Sequence, residues 1–291
     1  MEAKTFLSME PENPSLAPST PILDYRDFQR TVVLFSSFRS GSHMLKLSLG
    51  RLAGMVTPPE PFNAYADSGS GYTLQEYLRD PNPKPDLMTE GASSVHHFLQ
   101  SFYSRMPEQK KIVMDVKYPQ AYAFGTNADM DYAVPVPTVL DEMNKLGMPI
   151  IHLRRRDKVA QAVSLLVAEG TGVYLSPDGT ASNKADAAMI RLNPAEVFER
   201  AMRFQNGSDN AVTVLTAMGA NVLNVTYEDL LSEHSKEQYR KVFRFVDRYA
   251  DIPEGFKPPT RAQNSSGRVS NLTEVRAYAF ERLPELLGGR L

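Results

Sequence analysis

One strand that leads into a hydroxyl-rich turn constrains this chain more than any other feature. Residues 31–36 are mostly apolar and predict a buried strand, and residues 37–43 combine serines with one arginine and one glycine. Leucines at i, i+4 and i+7 then predict a helix over 45–52. Free backbone N–H groups at the start of that helix, together with the charge of Arg39, would attract an anion. We therefore predict an anion-binding turn made of Arg39, Ser40, Gly41, Ser42 and His43.

The turn lacks the pattern of the nucleoside triphosphatases. In that pattern a second glycine, a lysine and a hydroxyl residue follow at fixed spacing. Here the chain continues as Leu45-Lys46-Leu47-Ser48 with no second glycine before the lysine. The anion is therefore not predicted to be a triphosphate bound through magnesium.

A second strand, charged turn and helix are predicted between residues 149 and 165. Arg156 and Ser164 lie eight residues apart in this segment, which is about two helical turns. A long guanidinium and a short hydroxyl at this spacing can contact one phosphate from two sides. The segment therefore predicts a second anion site. Arg154 and Arg155 lack the spacing to Ser164, and the sequence leaves open whether they contact a ligand.

The two segments together resemble the sulfotransferases that use 3′-phosphoadenosine 5′-phosphosulfate. Residues 154–164, with Thr171-Gly172-Val173-Tyr174 after them, are closest to the bacterial trehalose and nodulation-factor sulfotransferase family. Residues 222–231 are similar to the late strand and turn of the sulfotransferase fold, and Glu60-Pro61-Phe62 is similar to the general-base segment of the family. The resemblance touches four segments from about residue 31 to 231, in the order of the family.

The resemblance implies how the co-substrate, 3′-phosphoadenosine 5′-phosphosulfate, would be bound without a metal. The first turn would hold the 5′-phosphosulfate, and Arg156 with Ser164 would hold the 3′-phosphate. Tyr227, which ends the late strand, would lie near the adenine. Arg268, in a glycine- and serine-rich segment, would close over the 3′-phosphate, although the usual arginine-lysine-glycine motif is absent. His43 replaces the hydroxyl residue common at its position, and its role stays open.

The resemblance also implies catalytic roles for three residues. Sulfuryl transfer to a hydroxyl requires removal of the hydroxyl proton, and Glu60 would be the general base. Lys117 at a strand end and Arg39 in the first turn would stabilise charge on the transferring group. The alternative for Glu60 is an exposed loop carboxylate held between Pro59 and Pro61, and for Lys117 it is a solvent-exposed side chain.

The predicted fold is α/β, a P-loop-like three-layer fold with a central parallel sheet flanked by helices. Residues 1–22 contain four prolines and few large apolar side chains, which predicts a mobile N-terminal arm. Residues 23–291 are expected to form a single sulfotransferase domain. Further strands and helices are predicted at 110–119, 138–147, 150–168 and 221–247.

Composition excludes several classes of protein. The formal net charge of −2 and the pI near 6.2 argue against nucleic-acid binding through a general basic field. The absence of cysteine excludes disulfides and cysteine-zinc sites. No signal peptide or long apolar run is present, so we expect a cytoplasmic protein without a transmembrane segment. The oligomeric state stays open, with a homodimer among the options.

The sequence also has features that bear on metal sites and on other functions. The adjacent His96 and His97 would diverge by about 100° on a helix and could not share a metal. Asp129-Met130-Asp131 resembles the aspartate pair of metal-dependent glycosyltransferases, and a non-catalytic module that binds the bisphosphate nucleotide is a further alternative.

For a sulfotransferase, the resemblance favours a hydroxyl of a carbohydrate or glycolipid as acceptor. A hydroxylated lipid or polyketide is the alternative.

Overall fold

The computed structural model describes residues 25–63, 73–82, 84–86, 89–108, 110–127, 134–172, 189–247, 252, 254–256 and 265–288. The predicted N-terminal arm lies outside these residues. The strands are β1 (Thr31–Ser36), β2 (Ile112–Lys117), β3 (Thr126–Asn127), β4 (Val136–Pro137), β5 (Ile150–Arg154) and β6 (Val222–Thr226). The helices are α1 (Tyr25–Gln29), α2 (Ser42–Ala53), α3 (Leu74–Arg79), α4 (Gly91–Tyr103), α5 (Thr138–Lys145), α6 (Lys158–Thr171), α7 (Pro194–Ala217), α8 (Tyr227–Leu230), α9 (Ser235–Val246) and α10 (Leu272–Arg282). Short 3₁₀ helices span Tyr118–Tyr122, Ser265–Arg268 and Pro284–Leu286.

A parallel sheet in the strand order β2-β1-β5-β6 forms the centre of the fold. This sheet confirms the predicted α/β class. In its register Ser36 lies opposite Lys117 on one side and Leu153 on the other, and Arg154 lies opposite Thr226. Because parallel strands end at the same edge, the residues that follow β1, β2, β5 and β6 are brought together there.

Both faces of the sheet are buried, as expected for parallel strands with crossover helices. Alternate residues of β1 point to opposite sides: Val33 and Phe35 belong to a core cluster with α4, α5 and part of α7, while Val32 and Leu34 pack with α2, α8 and α9. A third cluster joins α6, α7 and α10 beyond these layers. The described part of the chain contains no helix long and apolar enough to cross a membrane.

The longest described helix, α7, was not predicted. It begins at Pro194, which occupies the first turn, and Asn193 caps it by accepting a hydrogen bond from the N–H of Ala195 at 3.0 Å. Its buried positions include the small residues Ala201, Ser208 and Ala211. A face built partly from small and polar side chains gives a weak periodic signal, because few of its residues are strongly apolar.

His152 is a hydrogen-bonded core residue. Its Nε2 lies 2.7 Å from the hydroxyl of Tyr118, and its Nδ1 lies 3.1 Å from Oδ1 of Asn224. The side chain is buried within β5. Burial lowers the pKa of His152 to about 4, so the ring is neutral at pH 7.

The lowered pKa of His152 predicts acid destabilisation in a defined window. An unfolded histidine titrates near pH 6.5, so the unfolded chain binds a proton between about pH 6.5 and 4 that the folded protein does not. Stability from this residue is therefore present above pH 6.5 and is lost as the pH falls towards 4. We expect nitrogen chemical shifts to show a neutral His152 ring at pH 5, and His152→Gln to remove its part of the pH dependence in urea unfolding. A ring already protonated at pH 6 would contradict this.

Candidate active site

The first turn, between β1 and α2, has unusual backbone geometry. Arg39 has a φ of +60°, in the left-handed region that non-glycine residues rarely occupy. Gly41 has a φ of +93°, and a Cβ added there would lie 2.3 Å from Cδ2 of Tyr227. The helix α2 begins without a side-chain cap and has no acidic residue in its first turn. Its positive end therefore has no side-chain cap and no acidic neighbour in its first turn, which leaves the predicted anion-binding role possible in geometry.

Tyr227 and Arg155 join the first turn to the ends of β6 and β5. The guanidinium carbon of Arg155 lies 4.9 Å from the centroid of the Tyr227 ring. Nη1 of Arg155 also donates a hydrogen bond to the backbone oxygen of Arg39 at 3.2 Å. The sequence left the role of Arg155 open, because sequence position alone did not distinguish it from Arg154. The structure places Arg155 against both the turn and the aromatic ring.

The helix α6 lies along the first turn. Nε of Arg39 donates to Oγ of Ser164 at 3.0 Å. Nε2 of Gln161 donates to Oγ of Ser37 at 3.1 Å and to the backbone oxygen of Phe38 at 2.6 Å. Gln161 was missed by the sequence reasoning, although it lies one helical turn before Ser164. Its Oε1 is buried and has no hydrogen-bond partner among the described residues.

Arg156 lies at the outer part of the second turn, with its side chain 41% exposed. Its Nη2 donates to Oδ1 of Asp229 at 2.8 Å, and its backbone N–H donates to the carboxylate of Glu228. Asp157 caps α6 by accepting from the N–H of Ala160 at 2.7 Å. Carboxylates thus already satisfy the backbone donors of this turn. The predicted phosphate contact there would therefore depend on the side chains of Arg156 and Ser164.

A cavity of about 310 Å³ lies beside the second turn. Cations, an aromatic ring and apolar side chains line it, among them Arg155, Arg156, Tyr227, Leu231 and Leu287. The carboxylates of Asp157 and Glu228 line it too, and both accept hydrogen bonds from backbone N–H groups. Its volume is at the lower end of the range of about 300 to 1,000 Å³ that is typical of small-molecule sites. The mixture of cations and an aromatic ring suits a ligand with a planar base and anionic groups.

Lys117 is buried at the carboxyl end of β2, with 3% of its side chain exposed. Its Nζ donates to Oγ of Ser42 at 2.6 Å and to Oγ of Ser36 at 3.2 Å. The same ammonium donates to Oδ1 of Asp115 at 2.7 Å. A charged donor therefore lies directly beneath the start of α2, where Ser42 is the first helical residue. The solvent-exposed alternative for Lys117 is wrong.

Glu60 lies at the edge of this cluster. Its Oε1 is 3.7 Å from Nζ of Lys117, and its Oε2 accepts a hydrogen bond from Nε2 of Gln120 at 2.7 Å. Gln120 is held in turn, because its Oε1 accepts from the backbone N–H of Lys117 at 2.9 Å. The side chain of Glu60 is 27% exposed, so a hydroxyl from solvent can reach it. The structure thus brings two of the predicted catalytic residues together.

Asp115 and Lys46 complete the cluster, and the sequence reasoning missed both. Asp115 is 1% exposed, and its Oδ2 lies 3.2 Å from Nζ of Lys46. Burial alone would raise the pKa of Asp115, but the ammonium groups of Lys117 and Lys46 lower it below its ordinary value. The available signal was the spacing of Asp115 and Lys117, which places both on one face of a strand.

His43, the second residue of α2, is partly buried beside this cluster. Burial, together with the charge of Lys46, lowers the pKa of His43 below its ordinary value. Its Nε2 is buried and has no hydrogen-bond partner in the described part of the chain. A neutral imidazole with an unused nitrogen at the start of α2 can bind a polar ligand atom.

The remaining sequence candidates form no described side-chain contact with this site, although the 3₁₀ helix that carries Arg268 packs against α6. Arg268 ends a 3₁₀ helix, and its backbone oxygen accepts from the N–H of Ile190 at 2.8 Å. His96 pairs with Glu142, whereas His97 contacts Tyr77. Asp129-Met130-Asp131 lies outside the described residues. Within the described ranges, no group of three or more histidine, cysteine, aspartate or glutamate residues is placed to hold a metal ion.

Comparison with known families gives one match. Residues 141–268 match the family model described as Stf0 sulphotransferase. The match begins in α5 and includes the second turn, Tyr227 and Arg268, while the first turn and Glu60 precede it. The matched segment, which is less than half of the chain, confirms the predicted resemblance to the sulfotransferases of the trehalose 2-sulfotransferase family. No curated protein matches the chain.

The buried ion pair predicts a large loss of stability on removal of one partner. Asp115→Asn should leave the ammonium of Lys117 without its closest carboxylate, and such losses typically cost about 3 to 5 kcal/mol. Urea unfolding followed by circular dichroism measures this change. Glu237→Gln is the matched control, because the Glu237–Lys241 pair is exposed and its loss should leave the midpoint unchanged. Equal stability of the Asp115→Asn variant and the wild type would contradict the role given to the pair.

Proposed function

We propose that the protein transfers a sulfuryl group from 3′-phosphoadenosine 5′-phosphosulfate to a hydroxyl of a carbohydrate or glycolipid. One observation carries this proposal: Lys117 donates to Ser42 at the start of α2 and lies 3.7 Å from Glu60. A cation, an open helix N-terminus and a reachable carboxylate are the groups that this chemistry needs. The relationship to the Stf0 sulphotransferases supports the reaction class.

The chain offers suitable groups for each part of the donor. The first turn, with Ser40, Gly41 and the amides of α2, would hold the phosphosulfate, and Nε2 of His43 is an unused polar atom beside it. Tyr227 and Arg155 would contact the adenine at the cavity. These residues fit the group in charge and in shape.

The 3′-phosphate would be bound by side chains of the second turn and of α6. Arg156 would exchange its contact with Asp229 for the phosphate, and Ser164 would contact the phosphate beside Arg39. Arg268 would approach from the late 3₁₀ helix. In the reaction, the acceptor oxygen forms a bond to sulfur as the bond between sulfur and the bridging oxygen breaks, which leaves adenosine 3′,5′-bisphosphate.

Glu60 is proposed as the general base. Gln120 fixes one carboxylate oxygen, and the other faces Lys117. The carboxylate would take the proton of the acceptor hydroxyl as the oxygen attacks, while Lys117 would stabilise the negative charge that develops on the transferring group. Arg39 would add a second cation from the first turn.

The acceptor is proposed from the family relationship. The resemblance to enzymes that sulfate sugars favours a carbohydrate or glycolipid hydroxyl, with a hydroxylated lipid or polyketide as the alternative. We also propose that residues 23–291 act as one domain, because the core clusters share helix α7 and the strands of one sheet.

The proposed donor predicts a nucleotide preference. The protein should bind adenosine 3′,5′-bisphosphate far more tightly than AMP in calorimetry, because only the bisphosphate can use Arg156 and Ser164. Loss of a hydrogen bond to a charged group typically costs about 1.5 to 3 kcal/mol, so Arg156→Ala should weaken the bisphosphate roughly 10- to 100-fold and leave AMP nearly unchanged. Arg191→Ala, at a residue whose side chain is 70% exposed, is the control. Equal wild-type affinities for the two nucleotides would refute the assignment.

The proposed base predicts a separation of binding from turnover. Glu60→Gln keeps the size of the side chain and a polar contact to Gln120, but it removes the proton acceptor. Turnover should fall by roughly 10²- to 10⁴-fold, while affinity for the donor changes only a few-fold. The control is Glu233→Gln, because the side chain of Glu233 is 86% exposed. Wild-type turnover in the Glu60→Gln variant would mean that Lys117 or His43 is the general base. If the protein is a non-catalytic nucleotide-binding module, the substitution would have no effect on its function.

A further inference from the structure

Arg154 and Lys158 are two cations that the mechanism above does not use. Arg154 ends β5 and Lys158 begins α6, four residues later in the chain. Lys158 is only 4% exposed, and Nε of Arg154 is buried without a hydrogen-bond partner in the described residues. Neither side chain forms an ion pair with any described carboxylate. Buried charges in proteins are normally paired, so this arrangement requires an explanation.

The charged groups around Lys158 do not neutralise it. Burial, followed by the charge of Arg154, lowers its pKa to about 8, and Arg155 acts in the same direction. Glu228 and Asp209 oppose this effect from α8 and α7. Both carboxylates are engaged elsewhere: Glu228 accepts from the backbone N–H of Arg156, and Asp209 accepts from Nε2 of Gln205 at 2.9 Å.

Neighbours of the pair on α6 and β5 contact the donor turn and the segment that orients Glu60. Gln161 follows Lys158 by three residues on the same face of α6, and it donates to the first turn. On the other side, His152 lies two residues before Arg154 on the same face of β5. Its Nε2 is 2.7 Å from the hydroxyl of Tyr118, which begins the 3₁₀ helix that carries Gln120 to Glu60. These two contacts place the pair next to elements that form the site.

The pair is nevertheless separate from the proposed donor cavity. Among the described residues, Arg155 and Arg156 line the cavity beside Tyr227, whereas Arg154 and Lys158 do not. Alternation along β5 places Arg154 on the face of the sheet with Ile150, in the cluster covered by α4, α5 and α7. The proposed donor turn and Asp115 lie towards the opposite face, under α2.

We propose that Arg154 and Lys158 form a subsite for an anionic group that the acceptor carries besides its reactive hydroxyl. This inference rests on the proposed function and narrows it: the acceptor is an acidic saccharide or acidic glycolipid, with a carboxylate, phosphate or sulfate group. An anion would form hydrogen bonds with the buried Lys158 and the partly buried Arg154. A neutral acceptor would leave them unpaired, and sites built around buried polar groups discriminate strongly against ligands that do not pair with them.

The test uses the full-length protein with its donor site filled by adenosine 3′,5′-bisphosphate. Calorimetry at pH 7 compares glucose with glucuronate, glucose 6-phosphate and glucose 6-sulfate. We expect at least one anionic sugar to bind tenfold or more tightly than glucose, and both Lys158→Met and Arg154→Gln to reduce that preference below threefold. Lys241→Met, at an exposed lysine paired with Glu237, should keep it. Equal binding of all four sugars to the wild type, or a preference that survives in Lys158→Met, would overturn the subsite.

Two further measurements identify what the pair binds. An anion near Lys158 raises its lowered pKa, so binding of the preferred sugar at pH 8 should take up protons, which calorimetry in buffers of different ionisation enthalpy detects. Absence of proton uptake would contradict contact with Lys158. If Lys158→Met instead weakens the bisphosphate tenfold or more, the pair belongs to the donor and the acceptor subsite is refuted.

These experiments also distinguish a failure of the acceptor subsite from a failure of the proposed function. Failure of the wild type to bind the bisphosphate would refute the proposed function, while titration of the sugars without nucleotide would still measure the anion preference. Circular dichroism of each variant establishes that it is folded. Because Met removes a buried charge without changing the side-chain length greatly, we expect Lys158→Met to be at least as stable as the wild type.

Discussion

The ammonium of Lys117 is the interaction on which the candidate site depends. It is buried, and the carboxylate of Asp115 on the same strand forms an ion pair with it that offsets the loss of hydration. The remaining donors of the ammonium reach Ser36 on β1 and Ser42 on α2, and Glu60 lies within ion-pair distance. One charged group therefore ties two strands, the start of a helix and the proposed base together. Lys46 adds a second cation on Asp115, so the two lysines balance the charges of Asp115 and Glu60.

The two strand-turn-helix units look alike in the sequence but differ in the structure. The start of α2 has no side-chain cap and no acidic residue, whereas the start of α6 is capped by Asp157 and contacted by Glu228. The first turn therefore offers backbone donors, and the second offers mainly side chains. The left-handed conformations of Arg39 and Gly41 lie in the first turn, and residues 154–158 of the second turn have no positive φ.

Close packing at Gly41 connects the turn to the far side of the sheet. The ring of Tyr227 fills the space where a Cβ would stand, and Arg155 covers the ring. Through this contact the ends of β1, β5 and β6 form one surface. A ligand bound at the turn would thus lie close to residues that are more than 180 positions later in the chain. The same packing leaves Arg154 and Lys158 on the other side of β5, away from the cavity.

Local sequence patterns determined the α/β class, the first turn and the helix after it, because each depends on short-range periodicity and turn chemistry. The resemblance to sulfotransferases marked Glu60 and Lys117, although both were left with an exposed alternative. Only the tertiary structure decided that Lys117 is buried against Asp115 and Ser42, that Arg39 contacts Ser164, and that Arg155 covers Tyr227. These contacts join residues from separate strands and helices. Their distances follow from the register of the parallel sheet, which no single segment encodes.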